Sequence, residues 1–94
     1  MIKHIVCFKI KQGESVSEAA DILRSMKGKV PTVIDLEVGE DFLGSERSYD
    51  IILQVTLKDR EALDQYQQDP YHCSVVKEHM HKVRESSIAV DYEI

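Results

Sequence analysis

The order of hydrophobic periodicities constrains the fold of this chain more than any other feature. Segments with a period of two, typical of strands, alternate with segments with a period of 3.6, typical of helices. Along the 94 residues the order is strand, helix, strand, strand, helix pair and strand. This order predicts an α+β fold: a ferredoxin-like split βαβ unit with a four-stranded antiparallel sheet and its helices on one face. Because no linker or repeat interrupts it, we expect one domain over residues 1–94.

Local signals predict where the strands and the first helix lie. Strands are predicted at His4–Ile10, Val33–Val38, Tyr49–Leu57 and Ser87–Glu93. The first helix is predicted to begin at the capping box formed by Ser15 and Glu18, in which each side chain bonds a free backbone N–H. Gly28 can end it in a left-handed conformation before Pro31. This helix is therefore expected to have about three to four turns.

The helix pair is predicted from two aspartates. Asp59 is a suitable N-cap for a short helix that carries Tyr66. The Asp69-Pro70 pair ends that helix, and it also begins the next one, with aspartate as the N-cap and proline at the first helical position. A helical spacing then predicts that the last helix directs one set of side chains to a single face: His72, Val76, His79 and Val83.

Only one face of the sheet is expected to be covered by helices. The opposite face is predicted to display Val6, Phe8 and Ile52, on the side that carries His4 and Asp50. An exposed apolar sheet face usually marks an interface. A chain of this length also buries only about 60–65% of its unfolded surface. We therefore expect a homodimer that buries two such faces against each other.

Charge and composition exclude several classes of partner. The net charge is −5 with neutral histidines, and the basic residues are spread along the chain, so no nucleic-acid partner is expected. No apolar run approaches the roughly 20 residues that span a bilayer, and the N-terminus lacks a signal-peptide pattern. We therefore expect no membrane partner and a soluble cytoplasmic protein. His72 and His79 would lie about 10 Å apart on a helix, too far to share a zinc ion, and no phosphate-binding glycine pattern occurs. Neither a metal nor a cofactor is expected.

Four stretches of the chain resemble one known family. They are MIKHIVCFKIK, VPTVIDLEVGED, SYDIILQVTLKDREALDQYQQDPYH and SSIAVDYEI. Together they are similar to the stress-responsive A/B barrel domain (Dabb) family over residues 2–93. The most specific pieces are the Lys3-His4 pair, the spacing of Tyr66, Pro70 and His72, and the closing Val90-Asp91-Tyr92. The resemblance implies a homodimer in which two four-stranded sheets close into a barrel, with a cavity between the sheet and the helices of each monomer.

Tyr66 and His72 are the candidate catalytic pair. A neutral histidine, with an ordinary pKa of about 6.5, can move protons at physiological pH, and a tyrosine hydroxyl can hold its tautomer or donate to an oxyanion. The family includes a plant polyketide cyclase branch, and the resemblance places the tyrosine–histidine couple of that branch at Tyr66 and His72. The alternative is that His72 bonds a nearby backbone group and Tyr66 packs as an aromatic side chain.

His4, Asp50 and Phe8 are the candidate substrate-binding residues. Phe8 alternates onto the strand face of His4, where a histidine can orient a ligand carbonyl; the alternative for His4 is a hydrogen bond at a strand end. The resemblance places a pocket histidine of the cyclase branch at His4 and a second one at the position of Asp50. Asp50 can accept a hydrogen bond from a ligand or act as a base, or it can cap the entry to a strand.

Two hypotheses about function remain open on the sequence. The first is a stress-responsive homodimer that binds a small organic molecule without a cofactor. The second is a cofactor-independent enzyme of the cyclase, lyase or monooxygenase kind, in which His72 removes a proton beside a carbonyl. The enzyme requires an open cavity and Tyr66 within about 2.6–3.2 Å of His72, or one water away. A protein without a site would have the cavity filled by side chains such as Leu63, Val76 or Met80.

Overall fold

The computed structural model describes residues 1–94, and its elements follow the predicted order. The strands are β1 (Ile2–Ile10), β2 (Asp35–Glu40), β3 (Ile51–Leu57) and β4 (Arg84–Glu93). The helices are α1 (Val16–Arg24), α2 (Arg60–Gln68) and α3, in which a π-helical stretch (His72–Lys77) continues into an α-helical one (Glu78–Val83). The strands form one antiparallel sheet in the order β2-β3-β1-β4. The predicted ferredoxin-like α+β fold is therefore confirmed.

Side-chain caps begin α1 and α2 where the sequence predicts. The Ser15 hydroxyl accepts a hydrogen bond from the N–H of Glu18 at 3.1 Å, and the Asp59 carboxylate accepts one from the N–H of Ala62 at 2.8 Å. The predicted length of α1 is wrong, because the helix ends at Arg24 after nine residues. Beyond it the backbone continues in turns whose bonds mostly join residues three apart, so the apolar face continues without a regular helix. None of the helices is long and apolar enough to cross a membrane.

The hydrophobic core lies between the sheet and the helices. It contains sixteen buried side chains: Ile2, Phe8, Ile10, Ala19, Ala20, Leu23, Met26, Val30, Ile51, Leu53, Val55, Leu57, Tyr66, Val76, Met80 and Val83. Tyr66 is the largest of the fully buried side chains. The end of α2 is therefore anchored in the core rather than resting on the surface.

The alternation along β1 corrects one prediction about the two sheet faces. Phe8 is buried, and both Phe8 and Val6 pack against the core under the helices. The prediction that Val6 and Phe8 lie on the uncovered face is therefore wrong. His4 has the same parity and is also directed towards the helices. Ile52 does lie on the uncovered face, because it pairs with Cys7, whose parity on β1 is opposite to that of Phe8.

The uncovered side of the sheet nevertheless carries a group of large apolar side chains. We call these five the open face: Ile5, Ile52, Ile88, Val90 and Tyr92; the polar side chains of Lys3, Gln54 and Glu37 lie on the same side. Ile88, Val90 and Tyr92 are 51%, 58% and 44% exposed, respectively. Ile5 pairs directly with Val90, so the apolar surface is continuous across β1 and β4. An exposed patch of this kind is typical of an interface.

Candidate functional site

A cavity of about 190 Å³ lies between the sheet and the helices. It brings together four of the five predicted site residues: His4, Phe8, Tyr66 and His72. The other apolar lining residues are Val6, Leu23, Leu53, Val76 and Met80. The other polar lining residues are Gln67, Lys77, His81, Arg84 and Ser87. Strands β1, β3 and β4 form its floor and one side, and the helices cover it.

The ring of Tyr66 lies between two imidazoles. It makes an edge-on contact with His4, with ring centroids 5.5 Å apart, and a tilted stack with His72, with centroids 4.2 Å apart. Its hydroxyl donates to the sulfur of Met26 at 3.7 Å and not to His72. Burial, with a smaller effect of the Asp69 carboxylate, raises the pKa of Tyr66 well above the ordinary range. Tyr66 therefore packs as a protonated aromatic, and the predicted hydroxyl contact with His72 is absent.

The imidazole of His72 is held by the backbone at the end of α2. Pro70 has no N–H, so it cannot donate to the carbonyl of Tyr66 four residues earlier. That carbonyl accepts a hydrogen bond from the N–H of Asp69 at 3.3 Å and a shorter one from Nδ1 of His72 at 2.9 Å. The N–H of His72 donates in turn to the Asp69 carboxylate at 3.0 Å. With the proton on Nδ1, Nε2 of His72 is the atom that carries a free lone pair.

The environment of His72 keeps its ring neutral. Burial lowers the pKa of His72 below the ordinary value of 6.5. The backbone hydrogen bond to Tyr66 and the carboxylate of Asp69 raise this pKa, whereas electrostatic interactions with Lys77 and with His4 lower it. A neutral, desolvated imidazole with a free Nε2 can accept a proton from a ligand. The chemistry predicted for His72 is therefore possible, with the Tyr66 carbonyl in the orienting role that had been assigned to the hydroxyl.

His4 is held by Asp91, which belongs to the stretch that carries the family resemblance but was not predicted as a site residue. Asp91 lies directly opposite His4 in the β1–β4 register, and its carboxylate accepts a hydrogen bond from Nδ1 of His4. A carboxylate on Nδ1 fixes the tautomer and stabilises the imidazolium that forms when Nε2 takes a proton. The Nε2 atoms of His4 and His72 have no partner in the protein and are not among its enclosed polar atoms. Both therefore open into the cavity.

Asp50 does not line this cavity. Its carboxylate accepts a hydrogen bond from the N–H of Ile10 at 2.7 Å, and its own N–H donates to the carbonyl of Phe8 at 2.8 Å. These bonds fasten the entry of β3 to the end of β1. Asp50 thus lies outside the cavity and makes the contacts at a strand entry that were the alternative on the sequence.

The π-helical stretch of α3 changes which side chains reach the cavity. In a π turn the backbone bonds join residues five apart, and the wider turn places Lys77 beside Val76 on the cavity face with His72. An α-helical spacing had instead placed His79 on that face. His79 does not line the cavity, and its Nε2 is enclosed without a partner. No three histidine, cysteine, aspartate or glutamate side chains lie together in a group that could hold a metal ion.

The match to a family model agrees with this architecture. The model of the stress responsive A/B barrel domain, Dabb, matches residues 2–94. The chain belongs to this family. The match covers β1 through β4 and all residues of the cavity. The predicted family is therefore confirmed. A search of curated proteins found no match to the chain.

Solved structures share the Dabb fold of this chain. A dimeric ferredoxin-like protein of unknown function from Bacteroides fragilis is 25% identical, with a TM-score of 0.79 and coverage of 99% of this chain and 95% of that one. The hydroxynitrile lyase of Passiflora edulis is 15% identical, with a TM-score of 0.84 and coverage of 99% and 92%. An antibiotic biosynthesis monooxygenase is 16% identical, with a TM-score of 0.74 and coverage of 100% and 98%. At these identities the two enzymes show likeness of fold alone.

The lowered pKa of His72 predicts a pH dependence of stability. The folded state binds the His72 proton less readily than the unfolded state. The contribution of His72 is therefore full above pH 6.5 and is lost as the pH falls through the folded pKa. We expect the free energy of unfolding, measured with urea between pH 7 and pH 5, to fall less steeply in His72→Gln than in the wild type.

Tyr66→Phe is the matched control for this measurement. It removes the hydroxyl but keeps the ring and the carbonyl that orients His72, so its slope should equal that of the wild type. A Tyr66→Phe slope as shallow as that of His72→Gln would mean that the hydroxyl, and not the backbone, sets the state of His72.

Proposed function

We propose that this Dabb protein is a homodimer that binds a small organic molecule in the cavity of each monomer, without a cofactor. The observation that carries the proposal is the pair of imidazoles at one apolar cavity, each fixed through Nδ1 and each with a free Nε2. Two imidazole nitrogens that are held in fixed orientations and are accessible at the same apolar cavity are the kind of convergent polar groups that orient a small ligand.

The size of the cavity indicates the size of the ligand. Pockets for drug-sized molecules have volumes of roughly 300–1,000 Å³, and this cavity has about 190 Å³. An engineered apolar cavity of about 150 Å³ holds benzene. A single ring with one or two short substituents therefore fits, whereas a long-chain polyketide does not.

The side chains expected to fill the cavity do not fill it. Val76 and Met80 line its wall and leave the volume open. Leu63 lies on another surface, in a separate hollow with Asp91. A protein whose core had only a structural task would gain stability by closing such a space, since unfilled volume in a core costs free energy. This supports binding over a purely structural role.

The open face supports the homodimer. A stable interface buries about 800 Å² on each partner, and an uncovered apolar sheet face is a surface of the right kind. The similar protein from Bacteroides fragilis is dimeric and ferredoxin-like. In the proposed dimer two open faces meet, and the two sheets close into a barrel. The stress response and the cytoplasmic location stay predictions from the resemblance and from composition.

A second candidate function, proton abstraction, is favoured by the state of His72. In this reaction Nε2 of His72 takes a proton from a carbon beside a carbonyl, and the electrons of the broken C–H bond form the enolate. When the imidazole of His4 carries a second proton, with Asp91 on its Nδ1, its Nε2–H can donate to the enolate oxygen. The likeness of fold to a hydroxynitrile lyase and a monooxygenase agrees with the capacity of this fold to carry chemistry.

Ligand binding is tested by NMR of the histidine rings. Phenol or ethyl acetoacetate should shift the signals of His4 and His72 selectively in the wild type. Val76→Phe fills the cavity and should abolish both shifts, whereas Val75→Phe, on the exposed neighbour, should retain them. Ser87→Phe closes the rim without enlarging a core side chain, so it tests the same point if Val76→Phe proves unstable. If the His4 and His72 signals stay unchanged with every compound, the proposal that the cavity binds a small molecule is wrong.

Proton abstraction is tested with acetophenone in D₂O, because exchange of its methyl protons requires only the first step. The wild type should accelerate the exchange, and His72→Gln should lower the rate by about 10²–10⁴-fold, the usual contribution of a general base. Tyr66→Phe should retain most of the rate. A His72→Gln protein that exchanges as fast as the wild type would exclude His72 as the base.

The homodimer is tested by placing a charge on the open face. Val90→Glu should convert the dimer into a monomer in sedimentation equilibrium, because each interface would bury two unpaired carboxylates. Val75→Glu makes the same substitution at an exposed valine of the helical layer and should leave the dimer intact. If Val90→Glu stays dimeric, the copies associate through another surface.

A further inference from the structure

The rim of the cavity differs in charge from the rest of the chain. Of the charged side chains that line the cavity, Lys77 and Arg84 are basic and none is acidic. His81 adds a third nitrogen base at the same rim. The chain as a whole has a net charge of −5. Two basic side chains and no acidic one therefore line the cavity that both imidazoles also line.

Neither of these cations is neutralised within the protein. Nζ of Lys77 donates to the carbonyl of Gln67 at 3.0 Å, and Nη1 of Arg84 donates to the hydroxyl of Ser87 at 3.3 Å. Both acceptors are uncharged, and no carboxylate lies within salt-bridge distance of either side chain. Three other basic residues do pair with carboxylates: Arg24, Arg60 and Lys82. The rim thus holds charge that is fixed in position and available to a ligand.

We infer that the ligand is a small carboxylate, held with its apolar body against the cavity wall and its anionic group between Lys77 and Arg84. This inference rests on the proposed binding function and specifies its ligand class. It also gives Lys77 and Arg84 a role as specificity-determining residues.

The lining side chains are most deeply buried at the apolar wall and more exposed at the basic rim, which matches a ligand with an apolar body and an anionic group. The wall residues Leu53 and Val76 are each 2% exposed, whereas Lys77 and Arg84 are half-buried and His81 is exposed. An aromatic or branched apolar body is favoured at the buried end by loss of water-exposed surface. A carboxylate at the rim keeps part of its hydration and gains charge-assisted hydrogen bonds, which are stronger than neutral ones. The reverse orientation would bury the anion against apolar side chains without a partner.

The π-helical stretch makes this arrangement possible. It brings Lys77 onto the cavity face of α3, and Arg84 follows as the first residue of β4. The charge of Lys77 also contributes to the lowered pKa of His72, which agrees with a position close to the imidazole. A lysine merely on a solvated surface would point away from the cavity and would have little effect on a buried ring.

Benzoate and benzamide are the probes, because they have nearly the same shape and differ in charge. Isothermal titration of the full-length protein at low salt should give a Kd for benzoate at least about tenfold lower than that for benzamide, since a charge-assisted bond is worth roughly 1.5–3 kcal/mol. Added salt should weaken benzoate binding and leave benzamide binding unchanged.

Three variants test whether Lys77 and Arg84 cause the preference for benzoate over benzamide. Lys77→Met and Arg84→Met keep most of the side-chain length and should each weaken benzoate binding about tenfold, without changing benzamide binding. Lys82→Met removes an exposed lysine of the same helix that does not line the cavity, and should change neither affinity.

The outcomes separate this inference from the proposed function. Equal affinity for the two probes would overturn the carboxylate inference and leave small-molecule binding intact. A preference for benzoate that survives in both Lys77→Met and Arg84→Met would also overturn it, since another group would then select the anion. If neither probe binds while phenol or ethyl acetoacetate still shifts His4 and His72, the carboxylate inference fails alone. If no compound binds, both fail.

Discussion

The end of α2 is the constraint on which the candidate site depends. Pro70 offers no N–H to the carbonyl of Tyr66, so the regular helical bonding of α2 ends there, and this oxygen accepts only the 3.3 Å bond from the N–H of Asp69 within the helix end. The oxygen of Tyr66 accepts from Nδ1 of His72, and the oxygen of Gln67 accepts from Nζ of Lys77. The negative end of a helix dipole favours donors and cations at this position. The end of α2 thus holds both a neutral base and a cation on the same side of the cavity.

The fold was predictable because its signals are local. The N-cap of α2 at Asp59 and the break at Asp69-Pro70 depend on a few neighbouring residues, and the structure has both where the sequence places them. The covered face of β1 was not predictable in this way. Both faces of that strand are apolar, with Val6 and Phe8 on one and Ile5 on the other, so a period of two does not tell which of them meets the helices.

The site was predictable only in part, and for a related reason. Spacing across the break identified Tyr66 and His72, which do meet at the cavity, but it suggested a hydroxyl contact where a backbone carbonyl makes the bond. Nothing local indicates that α3 begins with π-helical turns, so Lys77 was missed. Asp91 was missed because its bond to His4 joins residues 87 positions apart and depends on the exact register of β1 and β4. Register is a property of the assembled sheet.

The proposed ligand site and the proposed interface are built on the same strands. On β1, His4 is directed to the cavity and its neighbour Ile5 to the open face; on β4, Asp91 bonds His4 while its neighbour Val90 lies on the open face. Successive side chains of a strand point to opposite faces of the sheet but belong to the same backbone. Contacts made across the open face would therefore hold β1 and β4 in place, and these are the two strands whose register brings His4 and Asp91 together. Association of two copies would therefore restrict movement between β1 and β4, and so reduce the freedom of the His4 ring. In this small domain the dimer would give the cavity a rigidity that the core of one chain supplies only partly.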